Sequence, residues 1–166
     1  MVESRPLQVL LNTLPQMGRV EWIGIRPARN VAMVACEAVQ INLDQGLEGD
    51  RFSGRSGNPR QVTLIQQEHL AVVAACLHRD DLSPSVLRRN IVVSGINLLA
   101  LKDKQFRVGG AVLAFSGLCH PCSKMERELG PGGYNAMRGH GGITARVVSA
   151  GSVSLGDPLT YETNLI

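Results

Sequence analysis

Short apolar segments with an alternating pattern, separated by turns rich in glycine, recur along most of this chain. The segment Val39-Gln40-Ile41-Asn42-Leu43 alternates strictly, and the wider run from Val31 to Leu43 is apolar at its odd positions apart from Glu37. A period of two places alternate side chains on the same face of a sheet. The pattern therefore predicts a long strand over 31–43 with one buried face.

The other predicted elements are also mostly strands. They cover 20–26, 61–65, 91–93, 106–115, 143–149, 152–155 and 159–162. The last three include a hairpin that turns at Ala150-Gly151. Helical spacing of Leu70, Val73 and Ala74 predicts an amphipathic helix over 66–78, and residues 1–18 read as a lead-in. Without βαβ alternation, this set predicts a mainly β fold, a barrel or a sandwich with a few short helices.

The length, charge and composition of the chain limit the kinds of molecule that it is expected to bind. The 166 residues fit one domain over 1–166. A formal charge of +3 with 4% aromatic residues lacks the basic stripe and stacking rings of nucleic-acid modules, so we expect no nucleic acid and favour a small anionic ligand. No apolar run is long enough to cross a membrane and no signal-peptide layout is present, so we expect no membrane and a cytoplasmic location.

The segment Cys119-His120-Pro121-Cys122 is the strongest chemical signal in the chain. Proline suits the first position of a helix, so a helical turn is predicted to begin near Pro121 and to hold Cys122 in its first turn. The free amides and dipole there favour a thiolate, which makes Cys122 the better nucleophile or metal ligand of the pair.

Three other interpretations of the same cysteines stay open. A structural zinc site would need two further ligands, and His120 and His140 do not form a second ligand pair. A thioredoxin-like redox pair fits the local order of strand, cysteines and helix, but the helix is stopped by Gly130-Pro131 and the chain lacks βαβ organisation. A purely structural role for the cysteines is the third.

Two polar segments can recognise an anion. Arg88-Arg89-Asn90 lies at a predicted helix-to-strand junction, where it is either a solvated surface pair or a bidentate clamp with an amide beside it. The segment from Arg138 to Gly142 is either a flexible loop or a backbone cradle for phosphate.

The order of these segments is more informative than any one of them. They are Gly46–Arg51, Leu87–Gly95, Cys119–Cys122, Gly142–Val147 and Val153–Pro158. In this order the chain resembles the MOSC family, named for the C-terminal domain of molybdenum cofactor sulfurases, over about residues 18–162. The resemblance implies a MOSC-type β-barrel, in agreement with the strand pattern.

The resemblance also implies roles for particular residues. In the family the second cysteine of the motif either carries sulfur or ligates molybdenum in a bound pterin cofactor, and that residue here is Cys122. Arg88 and Asn90 match positions that line the cofactor pocket, with Arg89 as a weaker match between them. Arg138 is expected to add a contact to the pterin phosphate.

The expected function follows from these roles. The leading hypothesis is a protein that binds the molybdenum cofactor (molybdopterin) through Cys122 and that, if it is an enzyme, reduces N-hydroxylated compounds. The alternatives are a persulfide sulfur carrier and a cofactor-free binding module. The chain shows no iron–sulfur, flavin or pyridoxal-phosphate module, so it resembles the small stand-alone bacterial members. We therefore expect a separate electron-donor protein or a cysteine desulfurase as partner.

Overall fold

The structure, a computed structural model, describes residues 6–52 and 57–163. Its strands are β1 Gly18–Ile25, β2 Val34–Cys36, β3 Ala38–Asn42, β4 Gly46–Leu47, β5 Val62–Gln66, β6 Ile91–Ser94, β7 Gln105–Val108, β8 Ala111–Leu118, β9 Ile143–Ser149, β10 Gly151–Ser154 and β11 Pro158–Thr160. Its helices are α1 Pro6–Asn12, α2 Gln67–Cys76, α3 Ser123–Leu129 and α4 Gly133–Met137, with 3-10 turns at Pro84–Leu87 and Leu98–Leu101.

Seven strands close into a barrel. Around the barrel the order is β1, β11, β7, β8, β9, β5 and β6, and β6 pairs with β1 to complete the ring. Strand β2 extends the sheet beside β1, while β10, β3 and β4 form a separate small sheet. The mainly β, barrel-type prediction is therefore confirmed.

One pair in the barrel is parallel. Strands β5 and β6 run in the same direction, with Leu64 opposite Ile91, and α2 lies in the connection between them. A parallel pair needs a crossover connection of this kind. The expectation of no βαβ unit is thus wrong at this one place, which is also the place where the Arg88–Asn90 segment lies.

Successive side chains on β5 and β6 point to opposite faces of the sheet, so the apolar residues of these strands belong to two clusters. Leu64, Ile91 and Val93 point into the barrel core, whereas Ile65 and Val92 pack with α2, α3 and α4 on the outside. Strands buried on both faces read as continuous apolar runs rather than as alternating ones. This explains the unbroken Ile91-Val92-Val93 sequence.

Three predicted elements differ from the structure because pairing between distant strands decides them. The predicted strand over 31–43 breaks at Glu37: β2 pairs with β1, whereas β3 pairs with β10 in the small sheet. The region 106–115 is a β7–β8 hairpin that turns at Gly109-Gly110. The hairpin predicted at Ala150 is wrong, since β9 pairs with β8 and β5 while β10 pairs with β3.

The helical predictions are closer to the structure. Helix α2 matches the predicted 66–78 segment within two residues at each end and buries Leu70, Val73 and Ala74 as expected. Helices α1 and α4 were not predicted, and α1 falls inside the expected lead-in. No helix in the described ranges combines the length and apolar character needed to cross a membrane.

Two leucines in one 3-10 turn offer a matched test of the barrel core. Leu101 is fully buried, whereas Leu99 is 55% exposed. We expect Leu101→Ala to lower the free energy of unfolding by about 3 kcal/mol through lost burial and a residual cavity. Leu99→Ala should change it by less than about 0.5 kcal/mol. Urea unfolding of both variants measures the difference, and equal losses would contradict this packing.

Candidate functional site

The Arg88–Asn90 segment follows a 3-10 turn that ends in a left-handed residue. Arg88 has a φ of 57° and donates its backbone N–H to Ser85 at 3.3 Å. Its Nη1 donates to the carbonyl of Val31 at 2.7 Å, while its Nη2 is buried without a hydrogen-bond partner among the described residues. Buried polar groups are nearly always hydrogen-bonded, so this donor is a candidate to bind an acceptor on a ligand.

Asn90 is fully buried and its side chain makes four hydrogen bonds. Its Nδ2 donates to the Gly24 carbonyl at 3.1 Å and to Asp50 Oδ1 at 3.2 Å. Its Oδ1 accepts from the N–H and the hydroxyl of Thr63 at 3.2 and 3.1 Å. This uses the full capacity of the carboxamide. Asn90 therefore joins β1, β5 and the Asp50 loop, and it lies behind the site rather than at its surface.

Asp50 is paired with Arg26 beside this network. The carboxylate accepts from Arg26 Nη2 at 2.9 Å, from Arg26 Nε at 3.2 Å and from the Phe52 N–H at 3.2 Å. Burial alone would raise the pKa of Asp50, but the hydrogen bonds and the charge of Arg26, with the Phe52 amide, outweigh it and hold that pKa below its ordinary value. The carboxylate is thus committed to orienting Arg26.

A cleft of about 420 Å³ opens above these buried groups. We call it the arginine cleft, because five arginines and no carboxylate are among the described residues that line it. Its lining residues are Arg26, Arg51, Phe52, Asn58, Arg60, Thr63, Arg88, Arg89 and Cys119.

The cations near the cleft repel one another. Partial burial, followed by the charges of Arg26 and Arg51, lowers the pKa of Arg88. Desolvation and the charges of Arg88 and Arg51 lower the pKa of Lys124, whose ammonium donates to Asn30 Oδ1 at 3.1 Å. Like charges held this close are relieved by an anion between them. The arrangement suits phosphate or another small polyanion.

The two motif cysteines occupy different environments. Cys119 is 6% exposed and lines the arginine cleft, whereas Cys122 is exposed and immediately precedes α3. Cys122 is the N-cap residue, so it lies one residue before the first turn in which we expected it. Both thiols are free. Cys122 is not among the residues that line the cleft.

The segment after Arg138 packs against the cysteine loop. Arg138 itself is exposed and does not line the cleft. The carbonyl of Gly142 accepts the N–H of Cys119 at 2.8 Å, and Gly142 has a φ of 86°. A β-carbon at Gly142 would collide with the carbonyl of Leu64 on β5. The absence of a side chain at Gly142 therefore allows the backbone of this segment to pack closely against β5.

No three His, Cys, Asp or Glu side chains converge as a metal-ion site within residues 6–52 and 57–163. His69 and His140 lie next to each other, with their rings packed edge to face and their ring centroids 5.1 Å apart. His140 Nδ1 lies 3.3 Å from the carbonyl of Ala136.

The fold agrees with the comparisons with known proteins. A family model described as the MOSC domain matches residues 51–160, and the chain belongs to this family. A search of curated proteins gave no significant match.

Solved structures show the same fold at low sequence identity. The chain is similar to the YuaD protein from Bacillus subtilis, with a TM-score of 0.76, 20% identity and coverage of 89% of this chain and 97% of that one. It is also similar to YiiM from Escherichia coli, with a TM-score of 0.68, 20% identity and coverage of 89% and 71%. YiiM from Geobacillus stearothermophilus gives a TM-score of 0.65 at 18% identity, with coverage of 87% and 75%.

Sequence reasoning missed several residues of the cleft. Arg26, Arg51, Arg60 and Thr63 line it, and none of them was singled out as a site residue. Arg51 lies in the Gly46–Arg51 segment that carries part of the family resemblance, and Arg60 lies in the same loop between β4 and β5. No local signal marked Arg26, because its position beside Asp50 depends on tertiary contacts.

We expect Asp50→Asn to remove about 3 kcal/mol from the free energy of unfolding at neutral pH, as for one partner of a buried ion pair. Because the folded-state pKa of Asp50 is lowered, its contribution is complete above the ordinary carboxyl pKa of 3.8 and is lost as pH falls through the folded value. The gap between wild type and variant should therefore shrink below about pH 4. Urea unfolding at several pH values measures it, with the exposed Asp81→Asn as control. A gap independent of pH would contradict the network.

Proposed function

We propose that this MOSC-domain protein binds the molybdenum cofactor, with the anionic phosphate of the pterin in the arginine cleft and Cys122 as ligand to the metal. The observation that carries the proposal is the arginine cleft: among the described residues, five arginines and no carboxylate line it, and Arg88 Nη2 is buried without a partner. A phosphate offers an acceptor to Arg88 Nη2, whereas Arg26 is paired with Asp50 and Arg89 donates to backbone carbonyls.

The residues divide the work of binding. Arg88, Arg51 and Arg60 would hold the phosphate, since their side chains line the cleft and none of them has a carboxylate partner among the described ion pairs. Asn90 would act indirectly, because its side chain holds Asp50 and the Gly24 carbonyl of β1 in place. Arg138, exposed outside the cleft, would meet the cofactor only at its rim.

The donor set also suits the metal. A thiolate is a soft ligand of the kind that molybdenum accepts from a protein, and Cys122 lies in the loop that contributes Cys119 to the cleft. When bound, the cofactor would supply the redox chemistry, and the chain would bind it, orient it and keep its phosphate away from bulk water. We propose reduction of N-hydroxylated compounds as the reaction, with electrons delivered by a separate donor protein.

The phosphate assignment can be tested at Arg88. We expect Arg88→Ala to weaken cofactor retention by about 1 to 3 kcal/mol, the value for a hydrogen bond to a charged group, and Arg88→Lys to restore it only in part. The measurement is the molybdenum content and the fluorescence of the oxidised pterin after dialysis of protein produced with the cofactor.

Arg146→Ala is the matched control, because Arg146 is an exposed arginine on β9 outside the cleft. Equal retention in the Arg88 and Arg146 variants would remove Arg88 from the binding site.

A second candidate function is that of a persulfide carrier. The observation in its favour is the exposure of Cys122 at the start of α3, because a carrier thiol must reach the active site of a cysteine desulfurase. In this function the arginine cleft would receive an anionic acceptor of sulfur. A cofactor-free binding module is the remaining alternative, and it predicts neither molybdenum nor sulfur on the protein.

Thiol labelling separates these functions. With molybdenum cofactor bound, we expect Cys122 to resist alkylation by iodoacetamide under native conditions and to become labelled once the cofactor is stripped, because coordination occupies the thiolate. Cys76 is also exposed and lies on α2, so it should be labelled equally in both states. Mass spectrometry of the labelled peptides gives both values.

Cys122→Ser should abolish retention or sulfur transfer, and Cys119→Ser should have the milder effect. A mass increase of one sulfur on Cys122 after incubation with a cysteine desulfurase, with no molybdenum in the sample, would favour the carrier instead.

A further inference from the structure

Arg89 is a buried arginine whose guanidinium contacts three backbone carbonyls. Its side chain is tied to the carbonyl of Gly141 through Nε at 2.9 Å, to that of Leu87 through Nη1 at 2.8 Å and to that of Cys119 through Nη2 at 3.4 Å. The residue is 7% exposed. Three of its five N–H groups are thereby directed at the protein's own backbone.

The charge of Arg89 has no acidic partner. Over residues 6–52 and 57–163 the ion pairs to aspartate or glutamate involve Arg19 and Arg26, not Arg89. A buried charge without a counter-ion is costly unless hydrogen bonds satisfy it. The guanidinium is therefore stable in this position only while all three carbonyls stay in place, and it holds them there in return.

The three carbonyls belong to three segments that meet at the site. Leu87 ends the 3-10 turn before Arg88, Cys119 opens the cysteine motif, and Gly141 belongs to the loop before β9. A β-carbon on Gly141 would collide with the Cys119 carbonyl and would lie 3.3 Å from Arg89 Nη2. The segments that hold Gly141 and Cys119 are thus in close contact beside the guanidinium.

Cys119 is fixed at both of its backbone groups. Its carbonyl faces Arg89, and its N–H donates to the Gly142 carbonyl at 2.8 Å. Cys119 lines the arginine cleft, and Cys122 follows three residues later as the N-cap of α3. The path of the chain from β8 into α3 therefore depends on the Arg89 guanidinium.

We propose that Arg89 is a positioning residue: it sets the cysteine loop against the arginine cleft and does not itself hold the ligand. The three-way fork is the essential feature, because a lysine at this position presents one ammonium and cannot reach three carbonyls in a plane. The consequence for cofactor retention rests on the proposed function, whereas the positioning of Cys119 does not.

The first experiment uses cofactor-free protein carrying Cys122→Ser, so that Cys119 is the one thiol of the motif. We expect Arg89→Met and Arg89→Lys to increase the rate of native-state alkylation of Cys119 at least tenfold relative to that of Cys76. Val108→Ala is the control of comparable destabilisation, because Val108 is fully buried in the β7–β8 hairpin at the other end of β8 from Cys119. This variant should leave the ratio of the Cys119 alkylation rate to the Cys76 alkylation rate unchanged.

The rates are compared at urea concentrations where each variant is folded to the same extent. Unchanged protection of Cys119 in both Arg89 variants would overturn the proposal, as would equal exposure of Cys119 in Val108→Ala. If Arg89→Met does not fold, Arg89→Lys and Gly141→Ala give the same readout, since a β-carbon at Gly141 forces the Cys119 carbonyl from the guanidinium.

The second experiment measures molybdenum per protein after dialysis of cofactor-loaded protein that retains Cys122. We expect Arg89→Lys to lose at least tenfold in retention although it keeps the positive charge. Full retention in a variant whose Cys119 has become reactive would overturn the role of Arg89 in presenting the cysteine loop to the ligand. If the wild type binds no molybdenum, the proposed function fails, while the alkylation ratio still decides the positioning role.

Discussion

The buried carboxamide of Asn90 is the interaction on which the site depends. It connects β1 through the Gly24 carbonyl, β5 through Thr63 and the loop after β4 through Asp50, beside the parallel pair β5–β6 of the barrel. A buried amide that left any of these groups unsatisfied would cost about 1 to 3 kcal/mol for each of them. The same residue thus links β1 to β5 and contacts the carboxylate of the Asp50–Arg26 pair.

The site built on this support concentrates positive charge. Among the described residues, the buried carboxylate of Asp50 is already paired with Arg26, and the exposed Glu128 attracts Arg88 and Lys124 without lining the cleft. The mutual repulsion of the arginines would be relieved by a bound anion, so the proposed anionic ligand would stabilise the folded protein. An anionic cofactor would thus contribute to stability as well as to chemistry.

Two adjacent arginines serve opposite purposes in this arrangement. Arg88 adopts a left-handed conformation, which directs its side chain toward the cleft and the Val31 carbonyl. Arg89, the next residue, turns its guanidinium inward to three carbonyls. The sequence alone gave both the same two interpretations, a solvated pair or an anion clamp. Neither interpretation included a buried arginine that holds backbone segments together. Two of the carbonyls that Arg89 contacts, those of Cys119 and Gly141, lie 30 and 52 residues away in the sequence.

The amino-acid sequence by itself determined the β-rich class, the amphipathic helix α2 and the motif order of the MOSC family, because periodicity and local spacing are read along the chain. Tertiary structure alone decided where the strand after Val31 changes sheets, that β9 and β10 do not pair, and that Arg26 and Arg51 join Arg88 in one cleft. These outcomes depend on contacts between segments far apart in sequence. A β-barrel closes only through such contacts, so the sites along its rim are set by its closure rather than by local pattern.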